Sequence, residues 1–322
     1  MTRKSPVAVF SYNRPSHTDR ALQALSRSAR MADCDFFFYS DGPRSEAARP
    51  EVEATREVLR RWAPHFGATV VERPANLGLA KSIGGSVGEL CEHYGRAIVV
   101  EDDLIVSADF LSYMIEALDR YEDQPDIMQI GGLTLRAPPD LKDDAFLLPV
   151  TTTWGWATWK RAWQHFSWVP EDLEEAKRDG TWKRLFDLNG TCSFSSMLED
   201  RLAGRNDSWG ILWWYAVSRR RGLVLYPRKS LVRNGGFDGS GVHCDDNDFL
   251  GQPDVSAYKG LVIGETFKLP SAAKYEPQHL ALLEDFFRSL QPAAAAPQAH
   301  GIKGRLKSFA QKLKENVRNA VS

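Results

Sequence analysis

Four short apolar runs alternate with helical segments over the first hundred residues, and this order constrains the fold more than any other feature. The apolar runs cover residues 6–11, 35–40, 68–72 and 97–100. Between them, helical spacing of apolar residues marks residues 17–29, 51–66 and 79–94. This strand–helix order predicts an α/β fold, with a mostly parallel sheet flanked by helices on both faces.

Polar side chains follow each predicted strand, at the edge of the sheet where parallel α/β proteins bind ligands. They are Ser11, Asn13 and Arg14 after the first strand, Asp41 after the second, Asn76 and Lys81 after the third, and Glu101, Asp102 and Asp103 after the fourth. The turn after the first strand lacks glycine and no GxxxxGK[ST] string occurs, which disfavours a dinucleotide site and a P-loop. A solvated lysine is the simpler interpretation of Lys81.

The three successive carboxylates at residues 101–103 directly follow an apolar strand. Carboxylate oxygens are the ligands that hard divalent cations prefer, and such ions keep positions open for phosphate oxygens. The alternative is an acidic turn that caps a helix. Three adjacent acids exceed what a cap needs, and they would repel each other without a cation. We therefore predict a site for Mn2+ or Mg2+.

Composition narrows the class of protein. The 322 residues carry a formal net charge of −1 and are 43% hydrophobic, as in globular proteins, so no nucleic-acid partner is expected. No apolar run is long enough for a transmembrane helix. The four cysteines form no CxxC pair, which indicates free thiols in a reducing compartment and hence a cytoplasmic protein.

The C-terminal end differs from the rest of the chain. We expect a domain over residues 1–290, a linker rich in alanine and proline over 291–300, and a basic amphipathic helix over 301–322. That last segment has six basic residues and one acid, and its apolar residues recur at helical spacing. It could bind an anionic membrane surface on the inner face, or instead pack on its own domain.

The acidic strand also carries a resemblance to a known family. Residues 96–113 resemble the metal-binding strand of GT-A glycosyltransferases, and are most similar to the N-acetylglucosaminyltransferase I family, as in a bacterial-type relative. Weaker likenesses occur in the same order along the chain. They cover residues 6–14, 40–41, 154–156, 206–209, 227–230 and 241–243. Ser208 stands where that family often has a second acid.

The resemblance implies roles for the donor side of the site. Asp103 would bind the metal directly, with His243 as the second ligand, while Asp102 would contact the ribose or a metal-bound water. Glu101 would face the sugar. By the same resemblance Arg14 would lie near the phosphates. Asp41 would lie at the base, and Arg233 and Ser240 near the phosphates, with ordinary loop polarity as the alternative for the last two. Lys81 could also reach a phosphate. The remaining residues expected to bind the nucleotide sugar are Ser11, Asn13 and Asn76.

On the acceptor side, Asp207 is the expected general base, since one carboxylate must accept the proton of the attacking hydroxyl. Glu199 and Asp200 are its rivals, and an N-cap for the following helix is the alternative role for Asp207. Most tryptophans should lie in the core, but Trp156 and Trp209 could stack on a sugar.

The expected function is a metal-dependent, inverting glycosyltransferase. By resemblance it would move a sugar from a nucleotide-diphosphate donor, with uridine diphosphate as the expected nucleotide, to a hydroxyl of a glycan or glycolipid acceptor. We expect a single catalytic base, without a second carboxylate that could act as nucleophile. A single displacement of this kind inverts the configuration at the anomeric carbon. Two rivals remain open, a nucleotidyltransferase and a non-catalytic glycan-binding protein on the same fold.

Overall fold

A computed structural model describes residues 3–237, 251–255 and 266–291. Within these ranges the chain forms ten strands and ten α-helices. The strands are β1 (Ser5–Ser11), β2 (Cys34–Ser40), β3 (Thr69–Glu72), β4 (Arg96–Glu101), β5 (Leu104–Val106), β6 (Ile127–Gly131), β7 (Ala145–Leu148), β8 (Trp156–Trp159), β9 (Leu223–Pro227) and β10 (Val232–Asn234). The helices are α1 (Pro15–Leu25), α2 (Arg49–Phe66), α3 (Leu79–Tyr94), α4 (Phe110–Arg120), α5 (Lys160–Trp163), α6 (Leu173–Arg178), α7 (Gly180–Phe186), α8 (Phe194–Leu202), α9 (Gly210–Arg219) and α10 (Pro277–Ser289).

The first four strands form the parallel half of an eight-stranded sheet. Strand β1 pairs in parallel with β2 on one side and with β4 on the other, and β3 pairs with β2. The carboxyl ends of these strands therefore meet at one edge of the sheet. The mostly parallel α/β fold predicted from the strand–helix order is confirmed.

The second half of the sheet is mixed. Strand β8 lies between β4 and β6 and runs antiparallel to both, while β9 is parallel to β6 and β7 closes the edge. The pairing sets Trp156 opposite Val99 of β4 and Gly131 of β6. The start of β8 therefore lies beside the last residues of β4, close to the acidic triplet.

Helix α3 matches its predicted limits, and α1 differs from them at both ends. Proline at the first position starts α1 at residue 15. After Leu25 the helical hydrogen bonds tighten, because the N–H groups of Arg27 and Ser28 donate to carbonyls only three residues back. The N–H of Ala29 then donates to the carbonyl of Ala108 at 3.0 Å, a long-range hydrogen bond that a sequence pattern cannot reveal.

The core contains most of the tryptophans, as expected. Trp156, Trp163, Trp209 and Trp213 form one cluster over the sheet, with ring centroids 4.9 to 6.3 Å apart. The expectation of free thiols also holds for three cysteines. Cys34, Cys91 and Cys192 are buried and unpaired, and burial raises the pKa of each thiol to about 12.

Several predicted features lie outside the described residues. They are Ser240, His243, Cys244, the linker after residue 291 and the basic segment 301–322. Within the part of the chain that the structure does describe, every helix is too short or too polar to span a bilayer.

Candidate active site

The acidic triplet lies at the carboxyl end of β4. Glu101 is the last residue of that strand, residues 102 and 103 form a turn, and β5 begins at Leu104. Because a strand follows the turn, the alternative role of the triplet as a helix cap is wrong. The turn instead presents successive carboxylates at the edge where the parallel strands end.

Strand β1 supplies a backbone partner for the middle carboxylate. The parallel pairing sets Phe10 opposite Glu101, so the chain after β1 passes directly beside the acidic turn. The backbone N–H of Tyr12 donates to Asp102 Oδ2 at 3.2 Å. The carboxylate of Asp102 is thereby oriented by the main chain, and any residue other than proline at position 12 could donate this hydrogen bond.

The third carboxylate has an ionic partner. Arg14 Nη1 donates to Asp103 Oδ2 at 3.1 Å, and the two side chains are 17% and 18% exposed. The pair is thus mostly shielded from water, where an ion pair is screened less than at the surface. The pair leaves a positive group beside the acids at the mouth of the site, and both side chains remain partly accessible to a ligand.

The pKa values of Glu101 and Asp102 are raised in this setting. Burial raises the pKa of Glu101 well above its usual range, and the nearby charges of Asp103 and Asp102 raise it further. Burial, followed by the charge of Asp103, raises the pKa of Asp102 to about 7, against the opposing effect of Arg14. A bound cation would remove this repulsion, which is the electrostatic signature expected of a divalent metal site.

A short ribbon closes the site from the other side. Strand β10 pairs antiparallel with β5, and the N–H of Gly235 donates to the carbonyl of Asp103 at 2.7 Å. At Gly236, a Cβ atom would lie 2.9 Å from Asp103 Oδ2, 3.0 Å from Asn234 Oδ1 and 3.1 Å from Arg14 Nη2. Three polar side-chain atoms therefore converge on Gly236, and a Cβ there would force them to shift.

Sequence reasoning missed three of these residues, namely Tyr12, Asn234 and Gly236. Tyr12 acts through its backbone, which carries no sequence signal. The Asn-Gly-Gly string at residues 234–236 is a signal of close backbone approach, but only the β5–β10 pairing shows what it approaches.

The described residues fit a cation held by few protein ligands. Across residues 3–237, 251–255 and 266–291, no three side chains of His, Cys, Asp or Glu converge on one point. Asp103, with Asp102 beside it, stays the carboxylate predicted to bind an ion directly. This donor set suits Mg2+ or Mn2+, because such ions take one or two carboxylates and complete their shell with phosphate oxygens and water.

Asp41 and Asn76 hold two loops together at the same edge. Both oxygens of Asp41 accept backbone hydrogen bonds, from Gly42 at 3.0 Å, Leu77 at 2.9 Å and Gly78 at 2.9 Å. Asn76 Nδ2 donates to the carbonyl of Gly42 at 2.8 Å. These side chains shape the wall of the edge beyond β2 and β3, and their contacts to a nucleotide remain predictions.

Four other predicted residues lie around this edge. Ser11 is buried at the end of β1, and its hydroxyl has no hydrogen-bond partner among the described residues. Asn13 is partly exposed in the following turn, and Lys81 is exposed in the first turn of α3. Arg233 lies on β10 opposite Ile105, two residues along the ribbon from the acidic turn.

The expectation that Trp156 and Trp209 could stack on a sugar is wrong. The side chain of Trp156 is fully buried and stacks on Trp209, with centroids 5.3 Å apart and rings inclined by 29°. Trp209 is 1% exposed. Because the sheet, α5 and α9 cover both rings, neither offers a face to a sugar, and the two contribute to the core instead.

Asp207 lies in the turn that leads into α9. Trp209 immediately precedes α9 and packs on Trp156, which pairs with Val99 near the end of β4. Asp207 is exposed two residues before Trp209, and its role as the general base stays a prediction. Ser208 Oγ accepts from Ile211 N–H at 3.3 Å, and it therefore performs the capping role considered for Asp207.

Comparisons with known proteins add a likeness of fold. No protein-family model and no curated protein matches the chain. Among solved structures, the mannosyltransferase PcManGT from Pyrobaculum calidifontis, in complex with GDP-Man and Mn2+, is 13% identical with a TM-score of 0.38, and the match covers 68% of this chain and 73% of that one.

Two further solved structures, from S. aureus and mouse, also match. S. aureus TarS 1–349 is 13% identical with a TM-score of 0.35, and the match covers 49% of this chain and 47% of that one. Mouse xyloside xylosyltransferase 1, in its apo form, is 14% identical with a TM-score of 0.34. The match covers 58% of this chain and 76% of that one. At these identities and with TM-scores below 0.5, these matches carry no conclusion about the activity of this chain.

Proposed function

We propose that this chain is a metal-dependent, inverting glycosyltransferase, related to the N-acetylglucosaminyltransferase I family. It would transfer a sugar from a nucleotide-diphosphate donor, with uridine diphosphate as the first nucleotide to try, to a hydroxyl of a glycan or glycolipid acceptor. One observation carries the proposal. The carboxyl edge of the sheet holds mutually repelling carboxylates, one of them paired with Arg14.

The donor side follows from this arrangement. A bound divalent cation supplies electrostatic stabilisation of the leaving diphosphate, on which negative charge gathers. Asp103 would hold the ion, while Arg14 keeps that carboxylate in place and adds positive charge beside the phosphates. Tyr12 N–H fixes the orientation of Asp102, which would then contact the ribose or a water molecule.

The acceptor side requires a base. Asp207 is exposed and is relieved of helix capping by Ser208, so its carboxylate is available to accept the proton of an acceptor hydroxyl. A single base opposite the leaving group gives a single displacement, with inversion at the anomeric carbon. Glu199 and Asp200 on α8 are the neighbouring carboxylates to compare with it.

The test is a donor screen. The purified chain is incubated with Mn2+ and a panel of nucleotide sugars that includes UDP-GlcNAc and GDP-Man, and release of nucleoside diphosphate is measured. We expect release with at least one donor, loss of release in Asp103→Asn and retention in Asp126→Asn. The control residue is an exposed acid just before β6, at the opposite edge of the sheet.

The outcomes separate the rival functions. A nucleotidyltransferase would form a nucleotide sugar from a nucleoside triphosphate and a sugar phosphate, and would release pyrophosphate. A non-catalytic glycan-binding protein would release nothing, with or without acceptor. If no donor is hydrolysed, or if Asp103→Asn releases diphosphate at the unmodified rate, the proposed function is wrong.

A further inference from the structure

A row of aromatic side chains leads from the core to the surface and ends in an exposed indole. Trp213 contacts Trp163 with centroids 4.9 Å apart, and Trp163 stacks on Phe166 at 4.6 Å with nearly parallel rings. Phe166 meets Trp168 edge-on at 4.9 Å. Trp168 is 39% exposed, in contrast to the buried tryptophans with which the row begins. The next residue, Val169, is 73% exposed and extends the apolar surface.

The exposed indole is held in place before any ligand binds. Ser167 Oγ donates to the carbonyl of Val169 at 2.9 Å and accepts from its N–H at 3.2 Å, which closes a tight turn around Trp168. The indole also rests directly on the backbone of α3. A Cβ at Gly84 would lie 2.6 Å from Trp168 Cζ2 and 2.9 Å from Cη2. Only glycine at this position allows the observed placement.

Two contacts connect this indole to the turn that carries Asp207. The guanidinium of Arg201 lies over the Trp168 ring, 5.9 Å from its centroid. Arg201 Nε donates to the carbonyl of Ser208 at 3.1 Å. Trp168 is therefore joined through one side chain to the residue that follows Asp207.

We infer that Trp168 is the platform on which a sugar ring of the acceptor stacks while its hydroxyl faces Asp207. This inference rests on the proposed function and names the acceptor subsite of the same site. A pyranose has an apolar C–H face that matches the flat, partly exposed face of an indole. Its hydroxyl edge needs hydrogen-bond donors, and the guanidinium of Arg201 supplies them beside the ring.

A rigid platform suits this role. The turn at Ser167 and the contact with Gly84 fix the indole, so little side-chain entropy is lost when a sugar binds. The same indole is linked through Arg201 to the turn that carries Asp207, so a rigid apolar face and polar groups occur together, as they do in sugar-sized binding sites.

The first experiment measures binding alone. The chain is labelled with 15N at its tryptophan indoles, and Trp168→Phe assigns the Trp168 signal. Methyl glycosides of glucose, galactose, mannose and N-acetylglucosamine are then titrated. We expect at least one glycoside to shift the Trp168 signal while the buried indoles stay unchanged. If none of the four shifts that signal, the inference is overturned.

A matched pair of variants tests the geometry. Gly84→Ala displaces the indole without removing it, whereas a Cβ at Gly85 meets no atom within 4 Å. Both changes replace a helical glycine by alanine, so their intrinsic effects on the helix are alike. We expect Gly84→Ala to abolish the shift of the Trp168 signal and Gly85→Ala to preserve it. Equal shifts in both variants would contradict the inference.

Kinetics separates this inference from the proposed function. In Trp168→Ala we expect the KM for the acceptor glycoside to rise about tenfold, because the variant loses the binding free energy of one stacking contact. Hydrolysis of the nucleotide sugar, which needs no acceptor, should stay unchanged. An unchanged acceptor KM with intact hydrolysis would refute the platform alone. Absence of hydrolysis in the unmodified chain would instead refute the proposed function, and the titration would still decide the platform.

Discussion

Asp102 and Asp103 are neighbours in the chain, but they have different partners and different chemistry. Asp103 accepts from the guanidinium of Arg14, a full positive charge, whereas Asp102 accepts from one backbone N–H. Burial and the charge of Asp103 then raise the pKa of Asp102 to about 7. An added cation would favour the ionised form of Asp102 and so oppose this shift.

This difference predicts how stability depends on pH. The folded chain keeps a proton on Asp102 up to about pH 7, whereas an unfolded chain releases it near pH 4, so the metal-free fold loses stability as pH rises between these values. Mn2+ favours the ionised carboxylates, so its stabilising effect should grow over the same range. We expect Mn2+ to raise Tm more at about pH 8 than at about pH 5.5.

Two variants serve as controls for this measurement. Asp102→Asn should weaken the pH dependence of the Mn2+ effect, because it removes the group that titrates. Asp126→Asn, at the opposite edge of the sheet, should preserve it. An Mn2+ effect that is equal at both pH values in the unmodified chain would show that Asp102 does not titrate as described.

At the scale of secondary-structure elements, the β5–β10 ribbon sets the width of the candidate metal site. Gly235 donates to the carbonyl of Asp103, and Gly236 approaches the Asp103–Arg14 ion pair closely. The ribbon thus transmits any displacement of the loop after β9 to the carboxylates at the end of β4.

Gly236→Ala should therefore damage the site without unfolding the chain. The added methyl group would force Asp103 and Arg14 apart, since its carbon would lie 2.9 Å from Asp103 Oδ2. Displacement of a catalytic group by about 1 Å costs about a hundredfold in rate, and we expect a loss of that order in diphosphate release. Gly180→Ala, with open space around its Cβ, is the matched control. Equal rates in the two variants would contradict this role of Gly236.

The start of α9 allows capping and catalysis to be separated. Ser208→Ala removes the side chain that accepts from Ile211 N–H and should cost about 1 kcal/mol of stability while turnover persists. Asp207→Asn should do the reverse, with stability retained and transfer reduced at least about a hundredfold, as expected for loss of a general base. Urea unfolding and transfer assays on both variants measure the two effects. If Asp207→Asn transfers at the normal rate, Glu199 and Asp200 become the bases to test.

For the whole molecule, the parallel half of the sheet could be predicted because its strands are continuous apolar runs separated by clear helices. The mixed half could not, since strands such as β7 and β8 have only four residues each and are defined by their pairing. The same holds for the separate β5–β10 ribbon, whose strands have three residues each. The same limit applies to the site. The acidic triplet is visible in the sequence, whereas the role of Gly236 depends on contacts over a hundred residues apart.

Trp156 illustrates a second limit. Tryptophan is common both in cores and at sugar-binding surfaces, so residue type alone does not distinguish them. The β4–β8–β6 pairing buries Trp156 completely, and the exposed indole is Trp168 instead. Both belong to the same aromatic-rich region of the sequence, but only tertiary packing decides which one reaches the surface.

The basic segment at residues 301–322 leads to a prediction for the whole chain. Its six basic residues and helical apolar spacing suggest binding to an anionic membrane surface. We expect the full chain to float with vesicles that contain phosphatidylglycerol, and to do so less at high salt. A chain that ends at residue 300 should remain in the unbound fraction. Equal flotation of the two chains would reject membrane binding through this segment.

The central claim is that the carboxylates at the end of β4 hold a divalent ion against a diphosphate. Anomalous diffraction at the manganese edge, from crystals soaked with Mn2+ and uridine diphosphate, tests it most directly. The account predicts one strong peak within ligand distance of Asp103, with diphosphate oxygens on its other side. A diphosphate bound at this edge with no metal peak beside Asp103, or a peak at another site, would contradict it.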